Sequence, residues 1–151
     1  MLKMNGKLCK NRRVNKMNKS TIRELTFKLL YSLEVQRDFE DEDIDLYFED
    51  MQLESDAVKS QIKDDVNGII GKKDELIGQI SNNLKSDWKL ERISKVNISL
   101  LKLAIYEMLY KQVPYKVVIN EVVELAKKYG EETSSSFING VLATVVKENN
   151  L

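Results

Sequence analysis

Apolar residues recur along most of this chain at the three-and-four spacing of helices with one buried face, and no segment sustains the period of two that marks a half-buried strand. Between Ser20 and Gln36, Ile22, Leu25, Leu29 and Leu33 share a face, and Thr21 with Glu24 has the form of a capping box. From Ser55, the series Val58, Ile62, Val66 and Ile69 or Ile70 runs to Gly71, which is expected to close its helix in a left-handed C-cap. Leu76, Ile77, Ile80 and Leu84 then mark a helix over 74–84. A connecting turn follows, in which Trp88, Leu90 and Ile93 are expected to pack on the core.

The run from Val96 to Tyr110 is apolar nearly all round and predicts a central helix covered on most sides. Pro114 separates it from a helix over 116–129, with Val118, Val122, Leu125 and Tyr129 inward, Glu124 set against Lys128, and Gly130 at its end. Thr133 or Ser134 is expected to cap the last helix, whose inward face is Phe137, Ile138, Val141, Leu142 and Val145. Earlier, residues 38–56 carry ten acids and no base around Ile44, Leu46, Tyr47, Phe48, Met51 and Leu53, which reads as a solvated connection with a short anchoring helix. The fold class is therefore all-α, a single helical bundle of about seven helices, and 151 residues suffice for one core.

Composition removes several chemistries. The chain has no histidine, which excludes histidine-based nucleophile arrangements and histidine-ligated metals, and Cys9 is the one cysteine, so neither an internal disulfide nor a thiolate zinc site can form. Gly68 to Lys73 lacks the glycine spacing and the hydroxyl residue of a phosphate loop. The expectation is a non-enzyme with no catalytic residue, no metal and no cofactor. Without a long apolar run or an apolar leader, the expected setting is cytoplasmic and reducing, with no membrane contact.

Charge adds a direction to the chain. Residues 1–23 hold eight bases and no acid, whereas the remainder holds 16 bases and 24 acids, so a cationic leading end precedes an anionic body. Residues 1–18 read as a flexible basic arm ahead of a helical domain over 19–151. Such an arm can neutralise phosphates and release counterions while the body repels the same polyanion. A solvated tail, an organelle transit segment, or a translation start at Met17 are the alternatives that composition leaves open.

Four ordered segments carry a resemblance. Val113-Pro114-Tyr115-Lys116-Val117-Val118-Ile119-Asn120-Glu121 and its continuation to Lys127 is similar to the signature VPYKVVINEAVELAK of the NusB family of bacterial transcription antitermination factors. Arg23-Glu24 with Leu29-Leu30-Tyr31 resembles the family's first helix, Leu100 to Leu109 its ILRLAIYELL helix, and Phe137 to Leu142 its FVNGVL motif.

The resemblance implies an RNA-binding antitermination factor. Its partners would be single-stranded boxA-type RNA of ribosomal RNA leaders, the ribosomal protein NusE, and the RNA polymerase antitermination complex. The residues expected to meet RNA are Arg12, Arg13, Lys16, Lys19, Arg23 and Tyr31. The family's arginine cluster is reduced here to Lys19 and Arg23, so Arg12, Arg13 and Lys16 are expected to take over part of its role. Asn120 and Asn139 stand beside apolar stripes and are expected to tie helices together through hydrogen bonds. With Thr133, Ser134 and Phe137 they form a structural or RNA-facing edge. That edge lacks the lysine and histidine of the family's turn, so RNA contact there is expected to be weaker. A rival reading is a non-catalytic helical protein-interaction module, a homodimer without specific RNA binding.

Overall fold

A computed structural model describes residues 17–36 and 40–151. Seven α-helices are present among them: α1 (Lys19–Val35), α2 (Asp41–Asp50), α3 (Asp56–Gly71), α4 (Lys73–Asn82), α5 (Lys95–Leu109), α6 (Tyr115–Tyr129) and α7 (Ser134–Glu148), with a 3-10 turn over Leu90–Arg92. The described elements are all helical, as the spacing predicts. Backbone proximity divides the described residues into two compact units, those up to Gly68 and those from Ile69 on, and the boundary falls inside α3.

In the first unit, α1 starts because Asn18, extended at the N-cap, accepts from the Thr21 amide at 2.8 Å and from the Thr21 hydroxyl at 2.9 Å. The cap is thus Asn18, one turn earlier than the Thr21 and Glu24 pattern suggests. Ile22, Leu25, Phe27, Leu29 and Leu30 are buried along α1. The acidic stretch after it is more ordered than a solvated connection. The Glu40 amide donates to Asp43 Oδ2 at 2.8 Å, and Asp41, Glu42 and Asp43 lie in the first turn of α2, where the helix dipole favours carboxylates. Ile44 and Phe48 are buried, and the Tyr47 hydroxyl donates to the Leu25 carbonyl at 3.0 Å, fastening α2 to α1. On α3, Val58, Ile62 and Val66 are buried in this unit.

The second unit is built around α5, which packs against α4, α6 and α7, while α6 and α7 pack on each other. Ser94 accepts from the Asn97 amide at 3.1 Å to start α5, and Leu100, Leu101, Ala104 and Ile105 are fully enclosed. Val118 and Val122 of α6 and Ile138 and Leu142 of α7 complete the core, each burial worth about 1.5–3 kcal/mol.

Helix ends depart from the glycine pattern. No described glycine has a positive φ, so Gly71 is not a left-handed cap. Gln52 and Asn150 take that role, with φ of 54° and 56°. The next amides, of Leu53 and Leu151, return to the carbonyls of Phe48 and Val146 at 3.0 Å each, closing Schellman turns. Gln112, also at φ 54°, turns the chain between α5 and α6. Gly130 is required by space: its backbone is extended, but a Cβ there would lie 2.5 Å from Ser134 Oγ and 2.8 Å from the Ala126 carbonyl oxygen.

Candidate nucleic-acid interface

The expected RNA ligands separate when placed on the structure. Arg12, Arg13 and Lys16 lie outside the described residues. Lys19 is exposed at the start of α1. Arg23 departs from expectation: only 7% of its surface is exposed, and little of it remains for a phosphate. Tyr31 is 37% exposed, with its ring 6.4 Å from that of Phe27 and tilted 40° to it. An aromatic face is therefore open on the same helix that begins with Lys19.

In the second unit, Asn120 and Asn139 are both exposed, and neither side chain hydrogen-bonds among the described residues. They do not tie helices together, since both point away from the α6 and α7 stripes that hold Val122 and Val141. Ser134 is buried, and its hydroxyl accepts from the Glu131 amide at 2.9 Å, which makes it a strut of the turn after Gly130. Neither Thr133 nor Ser134 caps α7 through its side chain. Thr133 is helical and exposed, and its carbonyl accepts from the Phe137 amide and the Ser136 hydroxyl, both at 3.1 Å.

Phe137 leads to the feature that spacing alone does not reveal. Its ring lies 4.9 Å from that of Trp88, tilted 38°. The connecting turn is expected to pack Trp88 on the core; instead it is 45% exposed, and Phe137 is half-buried beneath it. The Trp88 amide donates to the Lys85 carbonyl at 2.9 Å, so a tight turn projects the indole. Around it, Lys85, Lys89, Arg92 and Lys95 are all exposed, and none of these four side chains makes an ion pair among the described residues. Two acids, Asp87 and Glu91, are interspersed and exposed. The signal is present in the sequence as four cations near one tryptophan, but a large apolar side chain in a connecting turn reads as packed on the core.

An open indole set against a phenyl ring within a cationic segment suits unpaired bases joined by phosphates. No helix among the described residues is long and apolar enough to cross a membrane.

The sequence pattern of the NusB family matches residues 20–147. The chain belongs to the NusB family. A transcription antitermination protein NusB from Acetivibrio thermocellus is 45% identical over 132 residues, which are 87% of this chain and 90% of that protein. The NusB of T. maritima has the same fold at TM-score 0.77 and 32% identity, covering 87% of this chain and 92% of its own. A chain in a crystal structure of antitermination factors NusB and NusE in complex with dsRNA is alike in fold, with TM-score 0.77 at 22% identity over 86% of this chain and 96% of that one. The NusB match takes in Arg23, Tyr31, Asn120, Trp88 and Phe137 but begins after Arg12, Arg13, Lys16 and Lys19.

Proposed function

We propose that this NusB-family chain is an RNA-binding antitermination factor that holds single-stranded boxA-type RNA with the ribosomal protein NusE and promotes read-through by RNA polymerase. The observation that carries the reading is the Trp88 and Phe137 ring pair, 4.9 Å apart and open to solvent on the indole side, within a segment of four exposed cations. The solved assembly of NusB and NusE with RNA supports the choice of partners. Single-stranded RNA suits the open rings better than a duplex does, because bases in an A-form helix are already paired and stacked and present no free face. Lys19, Tyr31 and the basic arm add phosphate and stacking contacts in this reading.

The experiment is a fluorescence anisotropy titration of labelled boxA-like RNA against the protein, alone and with NusE, competed by the same sequence as a duplex. Preference for the single strand and tightening by NusE are expected. Equal competition by the duplex, or binding by a Trp88→Ala variant as tight as that of the parent, contradicts the placement.

A further inference from the structure

A second cationic and aromatic cluster lies at the other end of α4. Lys72 places its ammonium 5.0 Å from the centre of the Tyr110 ring, and Tyr110 in turn meets Tyr106 with ring centres 5.8 Å apart. Tyr110 is 41% exposed, Lys72 and Lys73 are exposed, and Lys73 has no side-chain partner among the described residues. These lysines stand at the start of α4, where the helix dipole repels cations, and the Lys72 side chain gives the helix no capping hydrogen bond. Asp74 and Glu75 in the same first turn relieve that repulsion locally and keep the cluster modest in charge. Both lysines are exposed, so burial does not hold them at this helix start.

The surface between the two basic ends is also unusual. Gly78 lies mid-way along α4 without a positive φ, and a Cβ there would meet nothing within 4 Å. Neither backbone nor space requires glycine, although glycine weakens a helix interior. Its bare backbone leaves α4 open to close approach. Ten helical residues make α4 roughly 15 Å long, and the Lys72 and Trp88 clusters lie beyond its two opposite ends.

We infer that Lys72, Lys73 and Tyr110 form an auxiliary contact for RNA, gripping phosphates of the strand beyond the segment that Trp88 and Phe137 hold. The inference rests on the RNA-binding reading above. Lysine ammoniums over a tyrosine ring meet a sugar-phosphate chain without reading its sequence, so the contact depends on RNA length and salt and not on base identity.

The test measures anisotropy with two single-stranded RNAs, one of about 3 nucleotides, too short to span both clusters, and one of about 30 that contains it, against the parent and a Lys72→Glu, Lys73→Glu double variant. Circular dichroism verifies the variant's fold. The variant is expected to bind the long RNA about tenfold more weakly near 0.1 M salt, with a salt slope shallower by about 1.4, and to bind the short RNA within about twofold of the parent. Unchanged affinity for the long RNA, or equal loss on both lengths, overturns the assignment. Failure of the parent to bind either RNA overturns the RNA reading itself and this contact with it.

Discussion

The side-chain amides of Gln79 and Asn149 bond to each other twice, Asn149 Nδ2 donating to Gln79 Oε1 at 3.0 Å and Gln79 Nε2 donating to Asn149 Oδ1 at 3.4 Å. Further along, the Thr144 hydroxyl lies 3.5 Å from the Asn83 carbonyl, and then Trp88 meets Phe137. These three pairings step antiparallel along α4 and its following turn on one side and α7 on the other. The aromatic platform is the last rung of a ladder that begins at the amide clasp. A double-mutant cycle with Gln79→Ala and Asn149→Ala, followed by urea unfolding, is expected to give a coupling of about 0.5–1.5 kcal/mol. Coupling indistinguishable from zero would mean that the two amides are solvated independently.

Truncating the indole tests the platform itself. Trp88→Ala is expected to weaken single-stranded RNA binding by about 1–3 kcal/mol, the range for one base stacked on an aromatic side chain. Because Trp88 is 45% exposed, the fold should survive the change. Trp88→Phe, which keeps a π face, should restore part of the affinity in the same titration, and no recovery would point to a packing role for the indole.

Gly130 predicts a stability effect without a functional one. Gly130→Ala puts a methyl group against Ser134 and the Ala126 carbonyl, and a cost of about 1–3 kcal/mol is expected in thermal or urea unfolding. Adding Ser134→Ala should not recover it, because Ser134 Cβ itself would stand 2.6 Å from the new methyl group.

The left-handed glutamines predict the opposite sign. Gln52→Gly and Gln112→Gly relieve backbone strain at φ 54° and are each expected to raise stability by about 0.5–1 kcal/mol, measured by urea midpoint. The neighbouring Schellman bond, from the Leu53 amide to the Phe48 carbonyl, uses backbone atoms that the substitution leaves in place.

Much of the architecture is legible in the sequence because helical periodicity is set by burial. The stripes of Val58, Ile62 and Val66 or of Val118 and Val122 face inward as their spacing requires. What escapes lies at the margins of those stripes. Asn120 and Asn139 sit where a few tens of degrees decide between core and solvent, whereas Trp88 stands in a turn whose direction no helical stripe sets. Arg23 is the converse, a cation that is buried in α1. The acids of 41–43 look like a solvated run because composition does not show that carboxylates in a first helical turn are stabilising. For the candidate site, Phe137 and Tyr31 are legible through their motifs. The cations around Trp88 are not, because no motif contains them.

The basic arm is tested by removing it. A chain starting at Met17 lacks Lys3, Lys7, Lys10, Arg12, Arg13 and Lys16. If these residues meet phosphates, the slope of log affinity against log salt should become shallower by about 0.7 for each phosphate that is no longer neutralised. An unchanged slope would assign RNA binding to the folded residues alone.

Trp88 is the one tryptophan in the chain, so its fluorescence reports on the platform without a label. Titrating the protein with unlabelled single-stranded boxA-like RNA should quench that emission in step with binding followed independently by anisotropy, whereas inorganic polyphosphate should leave it unchanged. RNA that binds by anisotropy while the Trp88 emission stays constant would contradict base stacking at this site.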